Sequence, residues 1–209
     1  MATGFQNVIN NAETISIRKR KNVSTTQARD GTVRSVSLGG QKWMFDVKLP
    51  DGTPWETYRP IIESIENLDR TTESTIQINA TGHAWMTKYQ GNLVPAQQAN
   101  IVVSYSTSTP TTLTITSGGT GLVAGQYRFR AGDLIQLGTS GKVYSVVEDV
   151  AHNGTTIKVH RPVREAAGSY TLVVGQSVKW TVICSRFPQW TLFARNQVSW
   201  DGAFQFVEV

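Results

Sequence analysis

Apolar residues recur along this chain mostly at the two-residue spacing of half-buried strands, and only once at helical spacing over any length. Trp43, Phe45, Val47 and Leu49 alternate with Lys42, Asp46 and Lys48, which predicts a strand with one face in a core. Thr32–Leu38 reads as the strand before it. Gly39-Gly40 between the two suits a tight hairpin, and Arg29-Asp30-Gly31 marks a turn closing the polar segment 22–31. Thr14–Lys21 is a first strand carrying a basic cluster. Ser74–Ala80, Val178–Cys184 and Gln197–Val207 are further strands, the last alternating through Val198, Trp200, Phe204 and Phe206.

The helical exception runs from Trp55 to Leu68. Trp55, Tyr58, Ile61, Ile62, Ile65 and Leu68 fall at spacings of three and four behind Thr53-Pro54-Trp55-Glu56, which has the form of a capping box. Pro60 either kinks this helix or moves its start to about Thr57. Residues 82–100 have no regular period and read as a crossing loop, while the Ser/Thr/Pro-rich stretch 106–112 reads as a linker or hairpin tip.

The most informative run is Ala131-Gly132-Asp133-Leu134-Ile135-Gln136-Leu137, followed by Gly141–Asp149, an Asn153-Gly154-Thr155 turn and Thr156–Pro162. These are three short strands joined by glycine turns. With Thr111–Thr116 and Tyr170–Val174 they make five, the size of a small OB-like or SH3-like barrel. The fold class expected is therefore mainly β with one helix. Residues 1–100 and 183–209 form one discontinuous domain, and residues 101–182 form an inserted small barrel.

Composition narrows the function without naming it. The 209 residues carry 20 Lys and Arg against 15 Asp and Glu, a net charge of +5, which is weak evidence for a polyanionic partner. One cysteine, Cys184, allows no intrachain disulfide, and no Cys/His cluster has zinc-ligand spacing. No stretch approaches the roughly 20 apolar residues of a membrane helix, and residues 1–12 lack a signal-like apolar core. A soluble protein assembled in a cytoplasm is expected, with no cofactor and no metal.

Candidate chemistry is sparse. His83, His152 and His160 are the only histidines, and a Cys184–His160 dyad is outweighed by the apolar strand that holds Cys184. Glu148 and Asp149 are adjacent and point to opposite faces, Glu63, Glu66 and Asp69 suit a solvated helix face, and Asp133 suits a turn acceptor. Gly118-Gly119-Thr120-Gly121 precedes no helix pattern, so it does not read as a phosphate cradle. Arg18-Lys19-Arg20-Lys21 either contacts nucleic acid or an acidic protein, or protects an exposed strand from edge pairing. Trp85, Tyr89, Trp190 and Phe193 lie in loop-like segments and suit either sugar stacking or a subunit interface.

The order of these elements resembles a known family. A basic first strand leads to Arg29-Asp30-Gly31-Thr32-Val33 and the strand Gln41–Pro50. The Trp55–Leu68 helix, the return strand Thr75-Ile76-Gln77-Ile78, an inserted barrel and a closing Ser199-Trp200-Asp201-Gly202-Ala203-Phe204-Gln205-Phe206 follow. This is similar to the distal tail protein of long-tailed bacteriophages, in the version with an inserted oligonucleotide/oligosaccharide-binding-like (OB-like) barrel.

The resemblance implies a tail-tube-like β-sandwich or split-barrel domain plus the insert, and it carries over no active site. It implies a homo-hexameric ring that continues the tail tube protein, docks the baseplate hub protein and lets DNA pass through its lumen without specific binding. The barrel would project outward to carry fibre or receptor-binding parts, in a virion assembled in the host bacterial cytoplasm. Under it, Arg18, Lys19, Arg20, Lys21, Trp43, Trp85, Tyr89 and Trp200 are the candidate ring or partner contacts, and Val33–Leu49 is a hairpin lining the ring or its lumen. Rival readings are a tube-initiator or hub component of a contractile-tail baseplate, and a carbohydrate- or nucleic-acid-binding module acting through the barrel. An enzyme comes last.

Overall fold

A computed structural model describes residues 4–19, 23–37, 41–67, 72–79, 82–139 and 141–209. The chain is mostly β, and it divides into two compact units. The first comprises Met1–Thr75 with Thr181–Val209, and the second Ile76–Trp180. The second unit thus begins well before residue 101, because Leu93 and Ile101 lie in its core and Tyr89 packs against it.

The first unit opens with α1 (Gly4–Asn10) and β1 (Thr14–Arg18), then β2 (Val23–Gln27), β3 (Val33–Ser37), β4 (Met44–Lys48) and β5 (Thr53–Pro54). It continues through α2 (Trp55–Asn67) and β6 (Ser74–Ile76). The second unit holds α3 (Pro95–Gln98), β7 (Val102–Tyr105), β8 (Thr112–Ser117), β9 (Tyr127–Phe129), β10 (Leu134–Leu137), β11 (Val143–Ser145), β12 (Val150–Ala151), β13 (Thr156–Lys158) and β14 (Gly168–Val174). The chain closes with β15 (Trp180–Arg186), β16 (Gln189–Phe193), β17 (Gln197–Asp201) and β18 (Phe204–Glu208).

The main sheet of the first unit runs β1-β4-β18-β15-β6. Phe45 and Val47 of β4 and Phe204 and Phe206 of β18 are buried, as alternation predicts, while Asp46 on the other face takes the Arg18 guanidinium and the Gln205 amide. A second sheet, β16-β17-β5, carries Val198 and Trp200 inward. Aromatic rings from these strands, α1 and α2 pack on one another. Phe206 meets Phe5 at 5.1 Å, Phe204 meets Phe187 at 5.0 Å and Trp200 at 5.2 Å, and Trp200 meets Tyr58.

Five expectations need correction here. β3 pairs with β2 across the Arg29-Asp30-Gly31 turn, and β4 pairs with β1 and β18, so Val33–Leu49 is not one hairpin. The 22–31 segment therefore contains a strand, and Gly39-Gly40 lies outside the described residues. Gln197–Val207 is two strands in different sheets. The helix is not alone: α1 buries Phe5, Val8 and Ile9, with Gly4 packed so closely on Ser64 that a Cβ would sit 2.2 Å from its hydroxyl. Thr53 donates to the Pro50 carbonyl rather than capping α2, which starts at Trp55 with Pro60 inside it.

The second unit is a curled half-barrel sheet of order β11-β10-β14-β7-β8-β13, with β9 and β12 as a separate pair. Its two outermost strands run on into an antiparallel bridge between Val146 and Val159, so the sheet bends back towards itself. The core inside includes Val103, Leu113, Phe129, Ile135, Tyr144, Ile157 and Leu172. Among the described residues, no helix is long and apolar enough to cross a membrane.

Candidate functional site

Most acids that suggested chemistry are occupied. Glu148 pairs with Lys158 at 3.1 Å, and Asp149 with Arg130 at 3.3 Å, while Asp149 also accepts from the Ala131 amide at 2.8 Å. Asp133 is buried and accepts from the backbone amides of Gln90 and Arg130, both at 2.7 Å. Desolvation raises its pKa against the opposing pull of those amides. Among the described residues no group of three His, Cys, Asp or Glu could hold a metal ion. Cys184 is buried in β15 with Sγ 3.3 Å from the Arg186 carbonyl, and His160 accepts from the Ser145 amide through Nδ1 at 3.0 Å. Gly118 is pressed against the Asn100 carbonyl, which gives the glycine-rich loop a packing role.

The second unit has one dense polar network. Tyr144 is fully buried, donates to Glu165 Oε2 at 2.5 Å and accepts from the Arg164 amide at 2.9 Å. Glu165 Oε1 takes the Lys142 amide at 2.5 Å, and the buried Arg161 guanidinium lies 5.1 Å over the Tyr144 ring. Burial, then the bond to Glu165, raises the Tyr144 pKa. A shallow groove of about 220 Å³ lies beside this network, lined by Lys142, Arg164, Glu165 and Tyr170 among others.

The predicted contact residues separate into two sets. Trp43 is buried, and Lys19 lies over its ring at 5.4 Å, where partial desolvation lowers the lysine pKa. Trp200 is also buried, and Tyr89 is half-buried, its hydroxyl donating to the Arg128 carbonyl and its ring edge-on to Phe129. Trp43 and Trp200 thus lie in cores, and the Tyr89 ring is shared between core and surface. Trp85 is 70% exposed. Arg18 is tied to Asp46, and Arg20 and Lys21 lie outside the described residues.

Two exposed features stand out, the β2–β3 ribbon and the β16 edge; Trp190 and Phe193, expected in a loop, lie on the β16 strand. Every described side chain from Ser24 to Val36 is exposed, including Val33 and Val36 at 63% each. The ribbon forms a sheet of its own, turned by Gly31 at φ +85° with Asp30 Oδ1 accepting from the Thr32 amide at 2.9 Å. β16 is the outermost strand of its sheet, and it exposes Leu192 at 47% and Phe193 at 58%. Beside it lies a groove of about 460 Å³ lined by Glu66, Phe187, Pro188, Gln189 and Trp190, with the Trp55 ring 5.0 Å from that of Trp190 and tilted by 30°. The strand-like character of 33–36 was visible in the sequence; that no third strand pairs beside it among the described residues was not.

No protein-family model matches the chain, and no curated protein is detectably similar to it.

Proposed function

We propose that this chain is a distal tail protein of a long-tailed bacteriophage, a structural virion component and not an enzyme. In this reading the first unit is a tail-tube-like β-sandwich that forms a homo-hexameric ring. The ring joins the tail tube protein to the baseplate hub and lets DNA pass through its lumen. The second unit is an OB-like barrel projecting outward to carry fibre or receptor-binding parts, at the tail tip of a virion assembled in the host cytoplasm.

The observation that carries the reading is the isolated, solvent-exposed β2–β3 ribbon. A two-stranded hairpin is marginal in water by itself, and its open edges invite pairing with another chain. A chain that builds such a ribbon and also an equally open β16 edge has the parts for head-to-tail assembly, and head-to-tail contacts close into rings when the rotation suits. A compact insert within a discontinuous sheet domain fits the same architecture, and the Val146–Val159 bridge fits a barrel.

The test is the solution mass by light scattering with negative-stain imaging. Six-fold rings with a central hole are expected. A monomer at every concentration, also in the presence of tube and hub partners, would sink the reading.

A further inference from the structure

We infer that β3 of one copy adds as a parallel strand to the exposed edge of β16 in the next, with Arg34 entering the groove between Glu66 and Trp190. This rests on the ring reading and names the contact that would build it. β3 and β16 are each five residues long, and each is the free edge of its own sheet. Adding one strand to an open edge satisfies both rows of backbone groups at once.

Side-chain chemistry selects the direction. In β16, Trp190 and Leu192 share the face that also carries Val198 and Trp200 of β17, since those residues stand opposite them in register. Parallel addition with Val33 beside Gln189 puts Arg34 beside Trp190 and Val36 beside Leu192, all on that face. The Arg34 guanidinium then meets a carboxylate and an indole face, a charge-assisted and cation–π environment. Val36 covers Leu192, and on the other face Ser35 lies beside Thr191. Antiparallel addition would instead carry Arg34 towards the end of β16 that turns through Arg195, a like charge. Among the described residues neither Arg34 nor Glu66 is in an ion pair, so each is available for a second copy.

The full chain is tested by charge reversal and cross-linking. Arg34→Glu and Glu66→Arg each lower the ring fraction about ten-fold or more, and the double variant restores it. Both side chains are exposed, so thermal melts of the variants match the parent. Separately, a Val36→Cys/Leu192→Cys chain under mild oxidation gives a ladder of covalent multimers on a non-reducing gel, while the buried Cys184 stays out of reaction. If the parent forms rings but the reversals leave them intact and no ladder appears, the contact is overturned and the ring reading stands on another interface. Loss in both single variants without recovery in the double also overturns the Arg34–Glu66 pairing. If the parent itself never assembles, the ring reading fails and this contact fails with it.

Discussion

The ring of Tyr58 meets Trp200 edge-on, with centroids 5.3 Å apart and planes at 89°. This contact joins α2 to β17, and Trp200 also touches Phe187 and Phe204. Trp200→Ala should therefore cost about 3–5 kcal/mol in a denaturant melt. The indole Nε1 of Trp200 is buried without a hydrogen-bond partner. Trp200→Phe removes that orphan donor while keeping most of the ring, so its cost should stay below about 1.5 kcal/mol. Equal losses for the two variants would show that the indole packs differently.

The buried Asp133 carboxyl has a pKa above its ordinary value of 3.8, chiefly through desolvation. The folded chain then holds this proton more tightly than the unfolded chain does. Stability from this group is fullest below 3.8 and falls as pH rises through the raised folded value. Asp133→Asn lacks this titration, so the parent-minus-variant stability difference should decline with rising pH across that window and be flat on either side. A difference that climbs instead would mean that the Gln90 and Arg130 amides outweigh burial.

Tyr144→Phe deletes a hydrogen bond to a carboxylate and leaves Glu165 with the Lys142 amide. A loss of about 1.5–3 kcal/mol is expected by chemical denaturation. Tyr144 and Tyr89 both have raised pKa values, Tyr89 to about 12, with burial the main cause in each. The folded state keeps these protons where the unfolded state has lost them, so stability falls above pH 10. The fall should be shallower in Tyr144→Phe, and an unchanged slope would assign the effect elsewhere.

Gly118 has φ +78°, and a Cβ there would lie 2.0 Å from the Asn100 carbonyl oxygen. Gly118→Ala meets both backbone strain and a clash with main chain, and should cost more than about 2 kcal/mol. Gly31→Ala meets strain alone, because nothing lies within 4 Å of its Cβ position, and should cost about 1 kcal/mol. Thermal melts that reverse this order would refute the close approach at Gly118.

What the sequence disclosed follows from period. The faces of β4 and α2 were legible because Phe45 and Val47, or Tyr58, Ile61 and Ile65, repeat at spacings set by local geometry. Partners were not legible. Trp200 and Phe204 alternate as though on one strand, yet a turn between them sends each to a different sheet, and nothing local marks that choice. α1 escaped notice because only Phe5, Val8 and Ile9 carry its pattern over two turns among asparagines. Among the aromatic contact candidates burial claimed Trp43 and Trp200 while Trp85 stayed exposed, and the smaller Val33, Val36 and Leu192 are exposed as well.

The strand β18 lies between β4 and β15 in the middle of the main sheet, although it follows every other described element in sequence. During synthesis the residues of the second unit emerge as one continuous stretch and can collapse on contacts of their own. The β4 edge away from β1 is covered only by Phe204–Glu208, more than 150 residues further along the chain. The insert's contacts lie within one continuous stretch, whereas the sheet domain needs pairings of long sequence separation, the kind that form slowly.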